Sequence, residues 1–197
     1  MENGAPMTWN PSTEGPPSRE VQALFSERQF RSVLDVGCGW GRNLAPFVRD
    51  ANVIHGFDLD AEAVKHAATK LGYRDGIRIW QDDIRSTPLT GQYELVICLG
   101  VLHFLSTSER AGCYQKIKRW VEPAGFIIIV QFNAVNPIPS DLAELMPDVP
   151  ADSSEILSAF EDWHVVSHES YTYDDDHDNG RIHHTHSIDR LIARRPA

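Results

Sequence analysis

The chain has 197 residues, 42% hydrophobic and 23% charged, and 18 basic against 28 acidic side chains give a formal net charge of −10. This suits one ordinary globular domain, and an acidic surface without a Lys/Arg cluster disfavours nucleic acid as a partner. No apolar run approaches the ~18 residues of a membrane helix and no basic-then-apolar leader opens the chain, so the expectation is a cytoplasmic protein with no membrane partner.

Residues 1–17 hold Pro6, Pro11, Pro16 and Pro17 among Gly and Ser, the composition of a flexible arm, with Trp9 its one large apolar group. Such an arm can act as a lid with Trp9 as its plug, ahead of a domain over residues 18–197. Ser18 is placed to cap a helix in which Val21, Leu24 and Phe25 share a face. Strands and helices then alternate. Ser32–Val36 predicts a strand, followed by a glycine loop and a helix over residues 42–49. Residues 53–57 predict a second strand, and Ala61–Leu71 a helix whose Ala63, Val64, Ala67, Ala68 and Leu71 recur at helical spacing. Ile77–Gln81 and Tyr93–Leu99 are the next strands, the latter continuously apolar after Glu94, as burial on both faces requires. Residues 109–120 form an amphipathic helix, and residues 126–132 a fifth strand rich in Ile.

The last third changes character. Residues 137–150 are a proline-containing connection, residues 154–160 a short helix, and residues 163–173 and 181–193 a hairpin turned at Asp178-Asn179-Gly180. The order predicts an α/β, Rossmann-like, seven-stranded and mostly parallel sheet, with helices on both faces and a C-terminal antiparallel β-hairpin.

The motif that bears on chemistry is Asp35-Val36-Gly37-Cys38-Gly39-Trp40-Gly41-Arg42-Asn43, a strand running into a glycine-rich turn. Dinucleotide binders need a small residue at the end of G-x-G-x-x-G/A. That pattern is broken here, since Arg42 follows Gly41, and an NAD-linked oxidoreductase is disfavoured. The acidic residue two before Gly-x-Gly-x-Gly instead resembles the first motif of class I S-adenosylmethionine-dependent methyltransferases. The resemblance spans residues 20–195 and implies S-adenosyl-L-methionine as cofactor. It places Asp35, Gly37, Cys38, Gly39, Gly41 and Asn43 in the cofactor loop. It implies that Asp58 takes the ribose hydroxyls and that Leu59 lies against the adenine. It also implies that Asp83, with Asp82 as rival by one register, takes the adenine amino group. Ile84 then covers the other ring face, and Leu99 opens the loop beside the methionine part. Glu122-Pro123-Ala124-Gly125 resembles the family's L-x-P-G-G turn, with Ala124 in place of the first glycine.

Subclass signatures narrow the acceptor. Leu99-Gly100-Val101-Leu102 stands where nucleobase and glutamine amino-methyltransferases carry N/D-P-P-Y/F. The compact length, the Val101-Leu102-x-Phe104-Leu105 loop and the closing hairpin resemble the small-molecule, tellurite-resistance (TehB-type) branch. That implies methyl transfer by in-line displacement to a heteroatom (S/Se/Te, N or O) of a small-molecule acceptor. The alternative is a non-catalytic module that binds S-adenosylmethionine or S-adenosylhomocysteine, or a partner subunit. Arg42 and Arg181 are the candidates for holding an oxyanion.

Six of nine histidines lie between His164 and His186. His184 and His186 share a strand face, open to substrate binding or base chemistry, or to a metal with His103 or His168 as third ligand. His103, in the loop bordering the methyl donor, is the first candidate for a catalytic group. No metal is assigned. Cys38, Cys98 and Cys113 lack C-x-x-C spacing and read as packing residues. Asp174-Asp175-Asp176 with Asp178 reads as a solvated hairpin tip.

Overall fold

The computed structural model describes residues 15–146, 148–177 and 182–197. Trp9, the turn at residues 178–180 and Arg181 lie outside the described residues.

Five strands run parallel: β1 (Ser32–Val36), β2 (Val53–Asp58), β3 (Ile77–Gln81), β4 (Tyr93–Leu99) and β5 (Val121–Asn133). The hairpin β6 (His164–His177) and β7 (Ile182–Arg194) completes a seven-stranded sheet in the order β3-β2-β1-β4-β5-β7-β6. Strand β7 is antiparallel to both neighbours. The helices are α1 (Arg19–Glu27), α2 (Ala61–Leu71), α3 (Thr107–Trp120) and α4 (Ser154–Ala159).

Because strand side chains alternate between faces, the strands feed two cores. Leu34, Val36, Val96, Cys98, Ile127 and Ile129 pack with α3 and α4. Val33, Leu95, Ile97, Phe126 and Ile128 pack with α1 and Phe47 on the other face. All three cysteines are buried and free. Asp189, fully buried in β7, accepts from Asn133 Nδ2 of β5 at 3.0 Å and from Ser170 Oγ of β6 at 2.6 Å, and so ties three strands together. No helix among the described residues is long and apolar enough to cross a membrane.

The helix expected over residues 42–49 is not formed. Only a 3-10 turn, Ala45–Val48, follows the glycine loop. Pro46 supplies the reason: it has no N–H to donate and it disfavours the α conformation of Ala45 before it. Strand β5 begins at Val121 rather than at residue 126, directly after α3. Within it, Ala124 sits at φ +63°, the left-handed region where a side chain costs about 1 kcal/mol. The Pro123-Ala124-Gly125 turn is therefore held under strain at Ala124.

Candidate functional site

The chain passes from β3 at one edge to β4 beside β1, so the connections leaving β1 and β4 go opposite ways. A crevice opens at the carboxyl ends of the strands at such a switch point, and a cavity of about 660 Å³ lies there.

One wall is built from backbone. Gly37 adopts φ +71°, and a Cβ on it would lie 2.3 Å from Val101 Cγ2. Its N–H and that of Cys38 both donate to Phe57 O, at 2.9 and 3.0 Å, which pins the loop to β2. Gly39 N donates to Asp58 Oδ2 at 2.8 Å and Asp60 N to Asp58 Oδ1 at 3.0 Å. Asp60, not Asp58, caps α2, accepting from Glu62 N and Ala63 N. The Asp58 carboxylate is thus fixed by the loop it faces, with lone pairs remaining toward the cavity.

Of the residues expected to hold a cofactor, Gly37, Gly39, Asp58, Leu59, Asp83, Ile84 and Leu99 line this cavity. Asp35, Cys38, Gly41 and Asn43 stand behind it. Gly41 (φ +78°) packs against Ala67 and Leu71 of α2, and Asn43 Oδ1 accepts from Ser18 N at 2.9 Å. Asp35 is 1% exposed, and burial, with Asp58 nearby, raises its carboxyl well above the usual range. Its Oδ2 has no hydrogen-bond partner among the described residues. Leu59, 62% exposed, and buried Ile84 supply apolar surface to the cavity.

Both aspartates after β3 reach the cavity, and both are engaged. Arg85 holds Asp83 through Nε at 2.8 Å and Nη2 at 2.6 Å, and that hydrogen bonding lowers its carboxyl. Asp82 accepts from Trp80 Nε1 at 3.1 Å and from Asp83 N at 2.8 Å.

The opposite wall is built from side chains of distant segments: Ser18 and Glu20, His103 and Phe104, Gln131 and Phe132, Tyr173, Ile188 and Arg190. Five rings run along it in contact. Tyr173 lies 5.2 Å from His186, which stacks on Phe132 at 4.4 Å; Phe132 stacks on His103 at 4.4 Å, and Phe104 lies 4.4 Å from His103 with its ring tilted. His103 is 1% exposed, and its Nδ1 accepts from Phe132 N at 3.1 Å, so the neutral ring carries its proton on Nε2. Burial, with His186 and Arg110 adding to it, pushes its pKa down to about 3. At neutral pH the His103 ring is therefore neutral.

His184 and His186 do share a face, with Nε2 atoms 2.7 Å apart, and His186 Nε2 lies 3.8 Å from Asp175 Oδ2. The third ligands considered for a metal are placed elsewhere. The Phe132 ring lies between His186 and His103, and His168 Nε2 faces Asp189 at 3.7 Å. Neither His184 nor His186 is among the cavity-lining residues; His186 supports the ring stack from behind. Arg42 does line the cavity.

Sequence reasoning missed Glu20, and reached Tyr173 and Arg190 only as unnamed members of the final hairpin. One signal was available, since Arg190 interrupts the apolar alternation Ile188-x-Arg190-x-Ile192 on β7. It also missed the support behind the wall. Buried Arg110 pairs with Glu155 at 2.6 Å, and Tyr114, beside that pair, donates to Gln131 Oε1 at 2.7 Å.

A family profile described as a methyltransferase domain matches residues 33–125. Trans-aconitate 2-methyltransferase of Deinococcus radiodurans is 30% identical over 111 residues, 53% of this chain and 42% of that protein. The 16S rRNA (guanine(1405)-N(7))-methyltransferase of Proteus mirabilis is 30% identical over 95 residues, 45% of this chain and 34% of that protein. The chain thus spans less than half the length of these two curated relatives. Among solved structures, TehB from Haemophilus influenzae superimposes with a TM-score of 0.74 at 19% identity, covering 89% of this chain and 60% of that one. The N-methyltransferase NodS from Bradyrhizobium japonicum WM9, in complex with S-adenosyl-L-homocysteine, gives 0.69 at 13% identity, covering 90% and 85%. At these identities the solved structures share the fold.

Proposed function

We infer that this chain, which carries a methyltransferase domain over residues 33–125 and the fold of S-adenosylmethionine-dependent methyltransferases, moves a methyl group to a heteroatom of a small-molecule acceptor. The observation that carries this reading is convergence. The glycine loop, Asp58 and the Asp82-Asp83-Ile84 turn meet on one cavity wall at the carboxyl ends of β1, β2 and β3.

The residues fit the cofactor. A Cβ on Gly37 would collide with Val101, so a glycine here lets the loop pack directly against the turn after β4 at the cavity. One carboxylate can accept from both ribose hydroxyls, and Asp58 is oriented for that by Gly39 N and Asp60 N. Leu59 and Ile84 provide apolar surface for the two faces of a base. Because Arg85 occupies the Asp83 carboxylate and Trp80 and Asp83 N occupy Asp82, the adenine contact uses whatever lone pairs these bonds leave. Asp35, buried behind the loop, has its carboxyl raised by burial and by Asp58, so it sits there as a polar rather than a charged group.

S-adenosylmethionine, held by the glycine loop, Asp58, Leu59 and the Asp82-Asp83-Ile84 turn, would supply a methyl on its sulfonium for the acceptor's lone pair to take. The protein's part is to position, to exclude water and to set charge. The neutral His103 ring carries its proton on Nε2, since Nδ1 accepts from Phe132 N, and it takes no further proton near neutrality. An acceptor already deprotonated in solution therefore suits this site. The net charge of −10 supports a small molecule over nucleic acid, although one relative is an rRNA methyltransferase.

The test is calorimetric titration with S-adenosylmethionine, S-adenosylhomocysteine and NAD, repeated with Asp58→Ala. Micromolar binding of the first two is expected, none of NAD, and a loss of about a hundredfold in the variant, in line with two hydrogen bonds to a charged group. Folded protein that binds neither adenosyl ligand would overturn the reading.

A further inference from the structure

The far wall of the cavity is faced with rings that share one side of the sheet. The antiparallel register sets Phe132 of β5 and Tyr171 of β6 opposite Ile188 of β7, and Tyr173 of β6 opposite His186. Residues opposite each other across a ladder lie on the same side, as do residues two apart along a strand. Phe132, Ile188, His186, Tyr171 and Tyr173 therefore point one way, and Phe104, from the turn after β4, packs into the same cluster with Phe132 and Ile188. Phe104, Phe132, Tyr173 and Ile188 line the cavity from there.

The way these rings are turned decides what they can hold. Phe132 is sandwiched, with His103 at 4.4 Å and 17° on one face and His186 at 4.4 Å and 11° on the other. Both faces are covered and the residue is 3% exposed, so the ring meets the cavity by its edge. Phe104 and Tyr173 close the two ends of the stack, tilted by 51° against His103 and by 40° against His186. An aromatic ring is negative on its faces and positive at its edge. A cation binds over a face, and the Phe132 faces are taken. The edge complements the face of another aromatic ring, in the edge-to-face arrangement that such pairs favour. A saturated ring of the same size brings no such face.

Charge on this wall is balanced. Arg190, two residues after Ile188, has Glu20 Oε1 2.6 Å from its Nε and rests on the Tyr171 ring, 3.9 Å from the centroid. Arg19 pairs with the same Glu20 and with Glu169, so two cations meet two carboxylates. Burial, with Asp175 adding to it, pushes the Tyr173 phenol up to about 12, and that ring stays neutral as well. We propose that this wall is an aromatic-ring subsite, and that the methyl acceptor is a small molecule whose aromatic ring seats against the Phe132 edge between Phe104 and Tyr173. The proposal rests on the reading of the glycine wall as the nucleoside site, and deepens it by naming the class of acceptor.

The experiment uses the whole chain saturated with S-adenosylhomocysteine, titrated with aromatic compounds and their saturated counterparts. The pairs are benzamide with cyclohexanecarboxamide, benzoate with cyclohexanecarboxylate, and 2-naphthoate with decahydro-2-naphthoate; tetramethylammonium is the cation. Each pair holds charge and functional group fixed, so only the ring differs. At least one aromatic member is expected to bind about fivefold more tightly than its partner, the scale of one edge-to-face contact. Phe132→Leu, which keeps an apolar side chain and removes the ring, is expected to abolish that preference, and Tyr173→Leu to reduce it. S-adenosylhomocysteine affinity stays within about twofold in both, because neither residue lies on the glycine wall. Where Phe132→Leu does not fold, half-buried Tyr173→Leu decides alone. Saturation by S-adenosylhomocysteine with no aromatic member preferred, or with tetramethylammonium bound more tightly than any of them, overturns the proposal. So does a preference unchanged in the variants. Failure of the native chain to bind S-adenosylhomocysteine refutes the nucleoside site itself and the subsite with it.

Discussion

The two walls of the cavity are made by different means. The glycine wall comes from backbone: N–H groups of Gly37, Cys38 and Gly39 are consumed by Phe57 O and Asp58, and the loop presents a shape more than a set of side chains. The far wall comes from side chains on α1, β5, β6, β7 and the turn after β4, held by second partners such as Tyr114 behind Gln131 and Tyr171 under Arg190. A backbone wall admits few substitutions and suits a ligand that never changes. A side-chain wall can be rebuilt one residue at a time, and it is where a choice among acceptors is made.

Three substitutions sharpen that contrast beyond the Asp58 and Phe132 tests. The largest effect is expected from Gly37→Ala. The new methyl meets Val101 Cγ2 at 2.3 Å and must adopt φ +71°. The backbone term alone is about 1–2 kcal/mol, and Val101, β-branched, has little rotamer freedom to yield. S-adenosylhomocysteine binding should fall by about a hundredfold or more, the scale on which about 3 kcal/mol is felt. Adding Val101→Ala should restore part of it; calorimetry on the single and double variants decides, and no recovery would locate the damage elsewhere.

Next comes Glu155→Ala, behind the far wall. It strips the ion pair from an Arg110 that is 1% exposed and that keeps only Leu105 O, Asp148 O and Thr107 Oγ1. Removing one partner of a buried pair costs about 3 kcal/mol, or about 6–12 °C in melting temperature for a chain of this size. S-adenosylhomocysteine affinity, measured below the transition, should not move. A fall in it would mean that the walls are coupled.

The smallest effect is on the pH dependence of stability. His103 has its pKa depressed to about 3 in the folded protein, by burial first, against ~6.5 unfolded. Below pH ~6.5 the unfolded chain binds a proton that the folded one refuses, so stability is full above that pH and falls as pH drops toward 3. The slope is up to about 1.4 kcal/mol per pH unit. His55, lowered by burial and by Arg78, acts in the same direction. His103→Gln should flatten the profile between pH 6.5 and 5 by about 2 kcal/mol, leaving the His55 part. An unchanged denaturation profile would mean that His103 titrates normally.

What the sequence by itself determined was whatever is written locally. The strands Ser32–Val36, Ile77–Gln81 and Tyr93–Leu99 and the helix Ala61–Leu71 end where their residues predict, because apolar period and capping are short-range properties. The residues that the family resemblance implied for the cofactor, among them Gly37, Gly39, Asp58, Ile84 and Leu99, do come together along one cavity. Where one residue vetoed a neighbour, as Pro46 did the helix after the loop, the local signal was present but outweighed by the glycine pattern. The topology already points to the loop after β4, residues 131–136 and the final hairpin as walls around the acceptor, but only the tertiary structure decided which side chains they contribute. Glu20, Gln131, Tyr173 and Arg190 are separated by up to 170 residues, the difference between 190 and 20 in the numbering, and no spacing rule joins them. The protonation of His103 was likewise invisible, because its proton is placed by a backbone N–H of β5 and its pKa by the rings that bury it. Chain-local physics fixes elements and loops, whereas burial and partner choice are properties of the packed whole.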